Sequence, residues 1–172
     1  MATFRVISLL IANTLPVAAA ALGIGIVMSD GTVTINHAVT AGNATLFDGS
    51  TIETGSAGSR LHLNNGTTLQ FSRYTRGTVF GDRLVLDKGA TEIGGARYEV
   101  NARTLHIVGS DARVGVLGKM VEVAALTAPV RVSNARGVLV ATVAPGKILD
   151  FTPLDESGAD VSVKSKHVGI RR

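Results

Sequence analysis

The feature that most restricts the fold of this chain is a recurring apolar-x-apolar triplet. Leu61-His62-Leu63, Leu69-Gln70-Phe71, Tyr98-Glu99-Val100 and Leu105-His106-Ile107 are followed by Val121-Glu122-Val123, Val130-Arg131-Val132 and Val161-Ser162-Val163. Alternation with period two sends one set of side chains to a core face and the other to water, which is the signature of half-buried strands. Between the triplets stand Asp30-Gly31, Asp48-Gly49, Asn65-Gly66, Lys88-Gly89 and Gly94-Gly95. Such pairs accept positive φ at low cost and predict tight connections. Abundant Val, Thr and Ile favour strands over helices. Aromatic residues make up only 4% and tryptophan is absent, which argues against an immunoglobulin-type core. The predicted fold is all-β, a short-stranded, solenoid-like or twisted β-ladder. Its core is read as Leu61, Leu63, Leu69, Phe71, Leu84, Leu86, Val100, Leu105, Ile107, Val121, Val123, Val130 and Val132.

The N-terminus has a different grammar. Arg5 precedes an apolar run, Val6 to Leu15, then the helix breaker Pro16 and the small residues Ala18 to Ala21. Basic, then apolar, then small is the order of a cleavable export signal, read here as residues 1–21. The alternative is an uncleaved membrane anchor reaching residue 28, since no charge falls between Arg5 and Asp30 and a span needs about 20 apolar residues. Ile24, Ile26 and Met28 alternate with Gly23, Gly25 and Val27, so Ile24–Met28 is predicted as the first strand, with Ser29-Asp30-Gly31 as the turn that ends it. The first reading predicts a periplasmic or secreted protein. The second predicts an inner-membrane anchor with the β domain outside the cytoplasm.

The residues that carry chemistry are sparse. There is no cysteine, which removes thiol nucleophiles, disulfides and cysteine metal sites. His62 and His106 sit in the middle of triplets and are read as surface residues; only stacking on adjacent rungs would let them share a metal. Asp155 and Glu156 lie in a loop-like stretch with no complementary acid. No Gly-x-Ser-x-Gly elbow is present, and Gly23-Ile24-Gly25 does not complete a dinucleotide fingerprint. No enzyme, cofactor or metal is expected. Net charge is +4, but Arg73, Arg76, Arg83, Arg97, Arg103 and Arg113 are scattered, so no nucleic-acid partner is expected. The segment from Tyr74 to Phe80 departs from alternation. It offers Arg73, Tyr74, Arg76 and Phe80 as a partner-contact loop, these being residue types enriched at interfaces. The competing arrangement is a covered loop with its aromatics in the core.

Several of these motifs, taken in order, resemble the FecR domain. Asp48-Gly49-Ser50-Thr51-Ile52-Glu53-Thr54 resembles its opening, followed by Ser59-Arg60-Leu61-His62-Leu63-Asn64-Asn65-Gly66-Thr67-Thr68-Leu69-Gln70-Phe71. Arg83-Leu84-Val85-Leu86-Asp87-Lys88-Gly89-Ala90 is similar to its strand-and-glycine element, with Ala90 where an acidic residue is usual. Tyr98-Glu99-Val100 and Leu105-His106-Ile107 stand in the place of its later paired strands. The likeness covers about Gly42 to Phe151, within a β domain read as 24–153. Residues 154–172 form a polar tail with an edge strand. The resemblance implies an extracytoplasmic, non-enzymatic β domain that binds a protein or an envelope polymer. The alternative it implies is a component of transmembrane signalling to a sigma factor, working with separate membrane partners.

Overall fold

The computed structural model describes residues 22–154, 157 and 159–165. The expected signal peptide, the Asp155-Glu156 pair and residues 166–172 lie outside the described residues. Every described element is a strand.

Two long strands organise the rest. β1 (Gly23–Ile35) and β7 (Arg83–Gly95) each run for 13 residues, and the two halves of each have different neighbours. The first half of β1 pairs with β4 (Ser59–Leu63) and the second with β3 (Ser50–Thr54). The first half of β7 pairs with β6 (Arg76–Val79) and the second with β5 (Thr67–Phe71). Because β4 also pairs with β5 and β3 with β6, these strands close into a small barrel.

Beyond the barrel the chain adds hairpins to alternate sides. β8 (Tyr98–Ala102) runs parallel to the first half of β7 and turns back as β9 (Leu105–Gly109). β10 (Ala112–Leu117) joins the second half of β7 and turns back as β11 (Met120–Ala125). The hairpin of β12 (Val130–Ser133) and β13 (Leu139–Val143) then extends β9, whereas that of β14 (Ile148–Pro153) and β15 (Val161–Ser165) extends β11. At the opposite end β2 (Ala38–Phe47) lines the whole of β1. The outcome is a two-layered ladder, lengthened by one hairpin per layer in turn. The repeating unit is a hairpin of variable length, which is why the sequence carries the rhythm of a ladder without an exact period.

Every core position read from the triplets is buried, and Val27, Ile93, Val114 and Phe151 join them in one continuous cluster. Burying each Leu or Val contributes about 1.5–3 kcal/mol. The residues between them, His62, Gln70, Glu99, His106, Glu122 and Arg131, are half-buried or exposed. A one-residue slip would reverse the two sets, so the alternation itself holds the register.

Three glycine pairs expected at turns are strand residues instead, Gly94-Gly95 as the last two residues of β7. Ser29-Asp30-Gly31 belongs to β1, where the pairing with β2 shifts register between Ser29 and Thr32. Gly23–Met28, the end of the alternative anchor, are strand residues of the same element. Lys88-Gly89 sits mid-way along β7, where that strand leaves β6 for β5, and Gly89 has φ 84°. A strand that passes from one layer to the other has to bend, and the residues that suit turns suit such bends equally. Conversely, β1 and β2 are joined by a two-residue turn without glycine. Asn36 and His37 take φ 48° and 69°, and Asn36 Oδ1 accepts the Thr51 N–H at 2.9 Å.

Buried threonines fasten the crossover in β7. The Thr75 hydroxyl donates to Ala90 O and accepts from the Ala90 N–H, both at 3.1 Å. The Thr75 N–H bonds Thr54 Oγ1 at 2.8 Å, and that hydroxyl donates to Ser72 O at 2.7 Å. The Thr54 and Thr75 hydroxyls cost little to bury because both are satisfied.

Candidate partner-binding surface

The residues of the expected contact loop do not form one loop. Arg73 and Tyr74 occupy the turn between β5 and β6, both exposed, with Tyr74 at φ 57° and 62% accessible. The arrangement with this tyrosine in the core is therefore not the one adopted. Arg76 opens β6 and its Nε stands 3.7 Å from Asp87 Oδ2. Phe80 follows the far end of β6, half-buried, with the Arg83 guanidinium 4.3 Å from its ring centre. Alternation continues through β6, because Gly77 and Val79 face inward. Glycine, which a hydrophobic pattern does not count as apolar, hid that strand.

Around Phe80 the connections at one end of the barrel are tied together. The buried Tyr98 hydroxyl donates to Phe80 O at 2.6 Å. Burial, with Asp82 and Asp48 nearby, pushes its pKa well above the usual phenol range. Asn65 Nδ2 donates to Gly81 O at 2.7 Å and Asp48 Oδ1 accepts the Gly81 N–H at 2.8 Å. These contacts are structural; none presents a reactive group.

His62 and His106 are on β4 and β9, with β5, β7 and β8 between them in strand order, so they do not stack. His62 Nδ1 is 3.3 Å from Thr68 Oγ1, and His106 Nδ1 is 2.9 Å from Glu99 Oε1. Among the described residues no group of three His, Asp or Glu side chains is placed to hold a metal.

The unused bonding capacity lies at the strand edges. Among the described residues β2, β13 and β15 each pair on one side only, which leaves a row of backbone donors and acceptors on the other. β15 carries the exposed Lys164, a charge of the kind that discourages strand addition. β2 and β13 contain no charged residue and no proline. Val39 is 73% exposed on β2, while Val138 (59%) and Leu139 (49%) are exposed at the start of β13.

Two surface depressions differ in charge. One, of about 470 Å³, is lined by Met28, Asp30, Asn43, Arg60 and Gln70, and so mixes both signs. The other, of about 310 Å³, lies against β13 and is lined by Arg97, Val108, Ser110, Arg131 and Thr142. Arg97 and Arg131 are exposed, and neither guanidinium has an ion-pair or hydrogen-bond partner among the described residues. Sequence reasoning missed this pair because the two arginines are far apart in the chain and only the pairing of β8, β9 and β12 brings them together. The legible signal was the uncharged run from Gly137 to Ala144 between Arg136 and Pro145.

No protein-family model matches the chain, and no curated protein matches it. Among solved structures, its fold is similar to two crystal structures, each of a candidate anti-sigma factor from Parabacteroides distasonis. The TM-scores are 0.53 and 0.52, at 13% and 14% sequence identity. In both cases the match covers 67% of this chain and 59% of the other, so this chain spans well under two thirds of those proteins. At that identity the likeness is one of fold: the all-β ladder is an architecture also found in candidate sigma regulators.

Proposed function

We propose that this chain is an exported, non-enzymatic FecR-like domain that binds a protein partner in transmembrane signalling to a sigma factor. The observation that carries the reading is a coincidence of two independent likenesses. The ordered motifs between Gly42 and Phe151 resemble the FecR domain, and the fold resembles that of candidate anti-sigma factors. The basic, apolar and small-residue order of the first 21 residues supports export. This reading puts the β domain in the periplasm or outside the cell, or on the outer side of the inner membrane if the segment is retained.

The physical route to a partner is strand addition. Backbone groups along an open edge supply affinity, and alternate side chains supply selectivity. The absence of charge from β2 and β13 supports this use, because edges that serve no partner are ordinarily blunted. Affinity capture from a cell-envelope extract with the mature domain as bait tests the reading. A transporter or a membrane-bound sigma regulator among the captured proteins supports it. Capture of polysaccharide alone would replace it with a structural role in the envelope.

A further inference from the structure

We propose that the open edge of β13, with the neighbouring Arg97–Arg131 groove, is a docking site for an extended acidic peptide segment, which adds to the sheet as the next strand. The inference rests on the protein-binding reading above and specifies both the place and the chemistry of the partner.

The architecture singles out this edge. The layer containing β13 grows by one operation: β12 adds antiparallel to β9, and β13 to β12. β13 stands at the end of that series and, among the described residues, pairs on one side only. Its inward side chains are already spoken for, since Val143 is buried and Ala141 packs against the core. An added strand therefore meets a rigid template and orders only itself.

Charge selects the occupant. On the outer face, Arg131 stands opposite Val108 on one side and Thr142 on the other. A residue of an incoming strand opposite Thr142 would lie two strand spacings, about 9.6 Å, from Arg131. An arginine and a glutamate side chain together span that gap across the small threonine, and a guanidinium binds a carboxylate through paired hydrogen bonds. Arg97 lines the same groove. Glu99, which stands across Val108 from Arg131, bonds His106, and Asp111 accepts the hydroxyl of Thr127. Arg136 and Lys147 flank β13 in sequence, so both approaches to the edge are basic. A second copy of this chain pairing antiparallel through β13 would bring those cations toward each other, which disfavours that occupant. The depression beside β2 holds Arg60 together with Asp30, so its charge is mixed.

The test uses the mature chain and a short fluorescein-labelled peptide alternating valine with glutamate, followed by anisotropy at low salt. Saturable binding is expected, weakened roughly tenfold by Arg97→Glu with Arg131→Glu and lost when lysine replaces glutamate in the peptide. Methylating alternate peptide nitrogens should also abolish it, because strand addition needs those donors. Both arginines are exposed and have no ion-pair or hydrogen-bond partner among the described residues, so an unchanged melting temperature is expected and confirms that the variant is folded. Absence of binding, equal binding of the lysine peptide, or indifference to N-methylation each overturns the proposal. If the arginine variant still captures the same envelope protein as the parent chain, the docking site is wrong while the protein-binding reading stands.

Discussion

Replacing Gly66 and Gly89 separately by alanine distinguishes two costs that a left-handed glycine conceals. Their φ values are 86° and 84°, so the strain of placing a Cβ in that region is the same at both, about 1–2 kcal/mol. The surroundings differ. A Cβ on Gly66 meets nothing within 4 Å, whereas one on Gly89 would stand 2.6 Å from Thr75 Cα and 2.9 Å from Thr75 Cβ. Thr75 Oγ1 also stands in the way, and because Thr75 Cα is backbone, no rotamer change relieves the clash. The turn carrying Thr75 must move, and its hydrogen bonds with Ala90 are broken or stretched. Overpacking adds about 1–3 kcal/mol and an unsatisfied buried hydroxyl about as much again. Gly66→Ala should therefore cost about 1–2 kcal/mol and Gly89→Ala about 3–8 kcal/mol. Urea denaturation followed by far-UV circular dichroism measures both. Gly66→Asn should recover most of the loss, since asparagine tolerates this region, and Gly66→Val should be worse than alanine. Equal losses at the two positions would refute the crowding argument, and an unchanged midpoint for Gly66→Val would mean that the β4–β5 connection is not the tight turn described.

Other expectations follow from burial, hydrogen bonding and the N-terminal sequence. Leu86→Ala should cost about 2–5 kcal/mol through lost burial and a residual cavity, while His62→Gln should stay within about ±0.5 kcal/mol; the reverse order in denaturation midpoints would invert the inside–outside assignment. Asn134 is buried, accepts the Arg136 and Val138 N–H groups at 3.0 Å and donates to Ala159 O at 2.7 Å. Asn134→Ala should then cost about 1–3 kcal/mol and raise hydrogen exchange in β13; unchanged exchange there would show that the side chain does not hold the edge. N-terminal sequencing of the exported protein should begin near Ala21, and an intact Met1 or Ala2 in a membrane pellet would favour the anchor.

What the sequence made legible was the part of the fold written in side-chain alternation. Each triplet but the last placed its outer members in the core, because burial and period-two geometry act locally on every strand; in Val161-Ser162-Val163, on the edge strand β15, Val161 is half-buried and Val163 is exposed. What stayed hidden depends on partners distant in the chain. Asp30-Gly31 and Lys88-Gly89 carry the chemistry of a turn, yet β1 and β7 continue through them because different strands wait on either side. The Asn36-His37 turn lacks the glycine that marks its kind. The candidate surface was legible only in outline. An open edge follows from any ladder of strands, but which edge is bare, and that Arg97 and Arg131 flank one of them, depends on the alternating order in which the hairpins are laid down.

The signalling role is tested most directly by deleting the gene and comparing transcripts with those of the parent strain under the same conditions. The account predicts that one sigma-factor-controlled set of genes changes together. It also predicts that the parent pattern returns with the full chain and not with a chain lacking residues 1–21. Unchanged transcripts in the deletion strain, or full restoration by the chain confined to the cytoplasm, would contradict it.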